Sequence, residues 1–168
     1  MDMIADVAEK QSKEIYSTSI VQQTAYWSKV KSLQGVDSKA FDFKVKYTDL
    51  FAGSMDNTYV IGDLLVILQM LDSEHCLAYV PYGPEIEPSA ENQGYFLEQL
   101  SESLRTFLPA NCILIRYDLS WESQWAKEGD CYDIHGNWIG LPDRKIQEIR
   151  LNFNTENWAL RKANTDIL

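Results

Sequence analysis

Two short stretches combine residue types that can do chemistry. In Tyr26-Trp27-Ser28-Lys29-Val30-Lys31, Trp27 and Lys31 stand four apart, so on a helix they share a ridge and the ammonium projects from the edge of an apolar face beside an indole. In Ile115-Arg116-Tyr117-Asp118, an apolar strand delivers alternating polar groups at its C-terminal end, which is where α/β sheets place ligands. From spacing alone the plainer readings are a core tryptophan with a solvated lysine, and a strand edge with ordinary charges.

The usual nucleophile and phosphate signatures are missing. The chain has no G-x-S-x-G, no Walker lysine loop and no G-x-G-x-x-G. Cys76 adjoins His75 but falls within an expected strand, which makes it a core thiol. None of the eight glycines forms the Gly-rich turn at a helix start that would cradle a pyrophosphate, so acetyl-CoA is disfavoured as a donor and no cofactor is expected. Cys131 and His135 have ligand-like spacing, with Asp130 and Asp133 alongside, yet no second Cys/His pair completes a four-ligand shell; a polar loop is expected there, and no metal.

The elements that must position these residues follow from periodicity. After an amphipathic segment over about 1–13, residues 15–21 read as an extended or irregular connection. Thr24 is a candidate N-cap for a helix that ends near Gly35, with Tyr26, Trp27, Val30 and Leu33 on one side. Residues 41–47 alternate as a half-buried strand, with Phe41, Phe43, Val45 and Tyr47 opposed to Asp42, Lys44 and Lys46. Residues 58–71 and 75–82 read as two buried strands joined by the short polar link Asp72-Ser73-Glu74. Two prolines and a glycine make 82–88 a loop.

A helix then starts at Ser89 or Ala90 and carries Phe96, Leu97, Leu100, Leu104, Phe107 and Leu108 at helical spacing up to Pro109. The run Cys112–Tyr117 has the composition of an interior strand covered on both faces. A further helical piece is expected from Trp121, an exposed loop over 128–145, and an alternating strand over 146–153. This order describes an α/β chain with a mixed sheet and helices on its faces. With 168 residues, 45% of them hydrophobic, and no linker or repeat, residues 1–168 read as one domain.

Composition restricts the function classes. A formal net charge of -10 repels polyanions and argues against a stand-alone nucleic-acid binder. Three scattered cysteines fit a reducing compartment. The longest apolar stretch, Leu64–Leu71, is interrupted by Gln69, and no basic-then-apolar leader opens the chain, so a cytoplasmic location is expected.

Three segments carry a resemblance to a known family: Gln22-Gln23-Thr24-Ala25-Tyr26-Trp27-Ser28-Lys29-Val30-Lys31, then Ala78-Tyr79-Val80-Pro81-Tyr82-Gly83-Pro84, then Leu114-Ile115-Arg116-Tyr117-Asp118. In order and approximate spacing the chain resembles the N-terminal portion of the FemABX peptidoglycan-bridge aminoacyltransferases. The resemblance implies an acetyltransferase-like (GNAT-like) fold, incomplete relative to the family's two subdomains. It also implies transfer of an amino acid from aminoacyl-tRNA to the stem peptide of UDP-MurNAc-pentapeptide or lipid II, without metal or coenzyme A.

On that resemblance Lys31, beside Trp27, matches the lysine that contacts the precursor's diphosphate. Asp118 matches a strand-end carboxylate near the acceptor peptide, positioned to orient or deprotonate the attacking ammonium. Tyr82 and Gly83 would form a wall of the same cleft, with Arg116 beside it. The family's second subdomain and catalytic-lysine region have no counterpart within the 168 residues, so this chain alone is expected to be inactive. A non-catalytic binding domain of the same fold, or an N-acyltransferase with another donor, is the alternative expectation.

Overall fold

The computed structural model of the chain describes residues 3–16, 18–46, 58–89, 92–121 and 132–139. Five strands form a single mixed sheet. In chain order the elements are β1 (Ile4–Lys10), α1 (Ala25–Leu33), β2 (Ser38–Lys46), β3 (Tyr59–Met70), β4 (Cys76–Pro81), α2 (Gln93–Arg105) and β5 (Cys112–Asp118). Single 3-10 turns at Ser12–Glu14 and Val21–Gln23 interrupt the link between β1 and α1. The spatial order of the strands equals their chain order. Pairing is antiparallel from β1 to β4 and parallel between β4 and β5, so α2 is the crossover that a parallel pair requires.

The larger core lies between the sheet and α2. Phe41, Phe43 and Val45 of β2, Leu64 and Val66 of β3, and Ala78 and Val80 of β4 meet Phe96, Leu97, Leu100 and Leu104 of α2. Alternation along each strand puts these side chains on one face. The Phe43 and Phe96 rings meet edge-on at 6.0 Å. Phe43 lies over its register partner Gly62, where an added Cβ would fall 2.6 Å from the ring. Glycine is required there by this close approach, because the ring is fully enclosed and cannot retreat. A smaller core on the opposite face joins Ala40, Leu65 and Ile67 to Ile15, Trp27, Val36 and Tyr79. α1 covers that face.

Three expectations change. The amphipathic N-terminal segment forms a strand, β1, at one edge of the sheet; Met3 and Ile4 are buried at its start while Ala5, Asp6, Ala8 and Glu9 stay exposed. α1 begins and ends as expected, capped by the Thr24 hydroxyl, which accepts from Trp27 N–H, and followed by Gly35 at φ 75°. Its buried side is not the expected one. Tyr26 and Leu33 point to solvent, Trp27 is half-buried, and the fully buried position is Ser28, whose hydroxyl meets that of Ser38 at 2.8 Å.

β5 likewise departs from the doubly covered strand. Among the described residues it is an edge strand, and Ile113 and Leu114 are exposed. A bulge near Cys112 explains part of this, since Cys76 pairs with Cys112 but Leu77 pairs with Leu114, leaving Ile113 outside the regular register. The strand expected over 146–153 and the helical piece after Trp121 lie outside the described residues. The loop expected over 128–145 is described at 132–139, where Tyr132 and Trp138 form an antiparallel bridge around a turn at Gly136.

Candidate functional site

Register alone fixes which candidate residues share a face. Ile67 pairs with Tyr79, Tyr79 with Arg116, and Pro81 with Asp118, so these side chains project from the same side of the sheet, the side that α1 covers. Tyr79 is the centre of the group. Its hydroxyl donates to Asp118 Oδ2 at 2.5 Å, and the Arg116 guanidinium carbon lies 5.4 Å from its ring centroid. Arg116 Nε donates to Asp118 Oδ1 at 3.2 Å. Partial burial, followed by the Asp118 hydrogen bond and charge, pushes the Tyr79 phenol up to about 12, so it remains a donor across the neutral range.

Trp27 and Lys31 meet on one helical ridge, although the apolar side expected around them is not the buried side of α1. Lys31 Nζ sits 5.0 Å from the Trp27 ring centroid and donates to Gln34 Oε1 at 3.2 Å. Trp27 and Tyr79 pack on the same cluster of Ala40, Leu65 and Ile67. The two charged groups are thus carried by aromatic rings that share one apolar cluster, but they are not in contact. Gln23, just before α1, bonds to Pro81, which pairs with Asp118; the first turn of α1 is thus at the Asp118 end of the sheet. Lys31 lies two helical turns further on, about 10 Å along the axis.

Tyr82 and Gly83 follow Pro81 at that same end. Tyr82 has φ 51° and is half exposed, and the Gly83–Pro84 peptide is cis. Gly83 is buried, with an added Cβ falling 2.9 Å from Gln23 Nε2. Pro84 offers its carbonyl to the Trp121 indole N–H at 2.7 Å.

Sequence reasoning did not single out Gln23 or Tyr79. Gln23 is 4% exposed, and its carboxamide is inserted between β3 and β4: Nε2 donates to the carbonyls of Leu65 and Pro81, and Oε1 accepts from Leu65 N–H. The signal that could have found it is Pro81, a strand residue without an N–H, which leaves the opposite strand short of a partner. Tyr79 could have been found by aligning the two parallel strands, which sets it opposite Arg116.

The remaining candidates are occupied by structure. Cys76 is buried in the core, as its place in a strand suggested, and its thiol donates to Asn111. Burial also pushes the Cys112 thiol up, which leaves it un-ionised and a poor nucleophile. Asp133 accepts from the Asn137 side chain, then from the backbone N–H groups of Asn137 and His135; these bonds hold its carboxyl below the usual carboxylate range. Cys131 and Asp130 lie outside the described residues. No described helix is long and apolar enough to cross a membrane.

No family model matches the chain, and no curated protein or solved structure matches it either.

Proposed function

We propose that this chain is the precursor-binding portion of a FemABX-like, GNAT-like aminoacyltransferase. One observation carries the reading: Trp27, which holds Lys31 over its ring, and Tyr79, which contacts Arg116 and Asp118, pack on the same apolar cluster of Ala40, Leu65 and Ile67. The order of elements, with three antiparallel pairings and then a helical crossover into a parallel strand, is compatible with an acetyltransferase-like half.

The separation of the two groups suits the ligand. A diphosphate-linked muropeptide is long, and its phosphates and its acceptor amine must be held at different places. Lys31, held against the Trp27 indole, would meet the phosphate oxygens. Asp118 is fitted to the amine: Tyr79 and Arg116 fix its carboxylate, so it can meet an ammonium without first being ordered. In the reaction the neutral amine attacks the aminoacyl ester carbonyl, a C–N bond forms and the C–O bond to the tRNA ribose breaks. Asp118 orients the amine and accepts its proton. The tRNA would be held by regions other than this acidic chain.

Calorimetry with UDP-MurNAc-pentapeptide tests this reading. Lys31→Ala should weaken binding by about 1.5–3 kcal/mol, the usual worth of a charged hydrogen bond. Unchanged affinity would remove the chemical basis of the assignment.

A further inference from the structure

β4 ends at Pro81, while β3 runs on as far as Tyr59 with β2 on its other side. The β3–β4 ladder stops at the Ile67–Tyr79 pair, and at Leu65 the Gln23 side chain takes the place of a strand partner. In an antiparallel strand alternate residues turn both backbone groups to the same side. The N–H and C=O of Asp63 and Ile61 therefore face the way those of Leu65 do, and among the described residues no backbone group meets them there.

This bare edge opens into a cleft of about 140 Å³, walled by Tyr16, Thr18, Gln23, Glu85 and Ile86, with Ile61, Gly62 and Asp63 supplying the strand. Drug-sized pockets run to roughly 300–1,000 Å³, so this one accepts a side chain or a short stretch of backbone and not a whole nucleotide. Its charges differ in state. Asp63 is neutralised by Lys10 at 2.5 Å, with both side chains 12% exposed, and also accepts from Tyr16 N–H. Glu85 accepts from the Thr18 hydroxyl and makes no ion pair among the described residues. One negative charge at the cleft is therefore unmatched.

We propose that this notch binds an extended peptide bearing a basic side chain, which adds as a short strand to β3 at Ile61 and Asp63 and sets its cation against Glu85. Strand addition supplies affinity through main-chain bonds, and a side-chain contact supplies selectivity. Gln23 shows that the place suits amides, since its carboxamide already makes there the donor and acceptor bonds of a peptide group. Glu85 and the net charge of -10 disfavour a nucleic acid or other polyanion. The proposal uses neither Lys31 nor Asp118 and stands apart from the transferase reading.

An amide-resolved NMR titration of the 168-residue chain tests it. The probes are acetyl-Ala-Lys-Ala-amide and the same peptide with norleucine replacing lysine. The lysine peptide should shift the amides of Ile61 and Asp63 and bind roughly two- to five-fold more tightly than the norleucine peptide, as a partly exposed ion pair implies. Glu85→Gln should abolish that preference. An undisturbed spectrum at millimolar peptide, shifts confined to residues outside the notch, or equal affinity of the two peptides for the unmodified protein would overturn the proposal.

Discussion

Leu65 turns its N–H and C=O toward β4 at a point where β4 offers Pro81, which has no N–H to give. Gln23 fills the gap with a carboxamide that satisfies both Leu65 groups and the Pro81 carbonyl. Removing it leaves buried backbone groups without partners, so Gln23→Ala should cost about 1–3 kcal/mol in urea unfolding. Gly83→Ala should cost a similar amount, because the new methyl would fall 2.9 Å from Gln23 Nε2. The two substitutions act through one contact. In the Gln23→Ala background the methyl meets space instead of an amide, and Gly83→Ala should then be nearly neutral; additive losses would show that Gly83 is constrained by something other than Gln23.

At the scale of elements, the inward face of α2 was legible in the sequence, although the helix spans Gln93–Arg105 and not the whole stretch from Ser89 or Ala90 to Pro109, and α1 was legible only in part. Phe96, Leu97, Leu100 and Leu104 recur at helical spacing and all four are buried against β2, β3 and β4, because a long amphipathic helix has one way to face a sheet. α1 has nine residues and its aromatic and aliphatic side chains are spread around it, so periodicity could not settle which side is inward. The small core resolves this by burying Ser28 and half of Trp27, which sends Tyr26 and Leu33 outward, Leu33 being 81% exposed. Its ends are set by local chemistry, which is why the Thr24 cap was readable. Thr24→Ala should therefore destabilise the protein by about 1 kcal/mol, whereas Leu33→Gln should change thermal stability by less than about 0.5 kcal/mol. A large loss from Leu33→Gln would mean that this side chain packs against a partner. The candidate site follows the same division: the Trp27–Lys31 contact depends on helical spacing and was legible, while the Tyr79–Asp118 bond depends on a parallel register that no single stretch of sequence records.

For the molecule as a whole, two phenols tie the crossover unit together and make its stability depend on alkaline pH. Tyr117 of β5 shares a hydrogen bond of 3.0 Å with Ser101 of α2, and Tyr79 of β4 donates to Asp118 of β5. Burial pushes the Tyr117 phenol well above the ordinary tyrosine range, and Tyr79 is raised to about 12. In the unfolded chain both ionise near 10. The folded state thus binds more protons than the unfolded state above that pH, and stability must fall as pH rises through it; below it the contribution of both groups is fully present. Between pH 10 and the Tyr79 value each phenol steepens the fall, Tyr79 less than Tyr117 because it is only partly buried. Because β4, α2 and β5 share one core with β2 and β3, the loss should register in unfolding of the whole sheet. Chemical denaturation at a series of pH values should give a shallower alkaline slope for Tyr117→Phe and for Tyr79→Phe than for the unmodified protein, with the larger change for Tyr117→Phe. Lysine ionisation affects all three proteins alike and cancels in the comparison. Identical slopes would mean that these phenols titrate in the native protein as they do in the unfolded chain, and that the crossover is not held by their protonated forms.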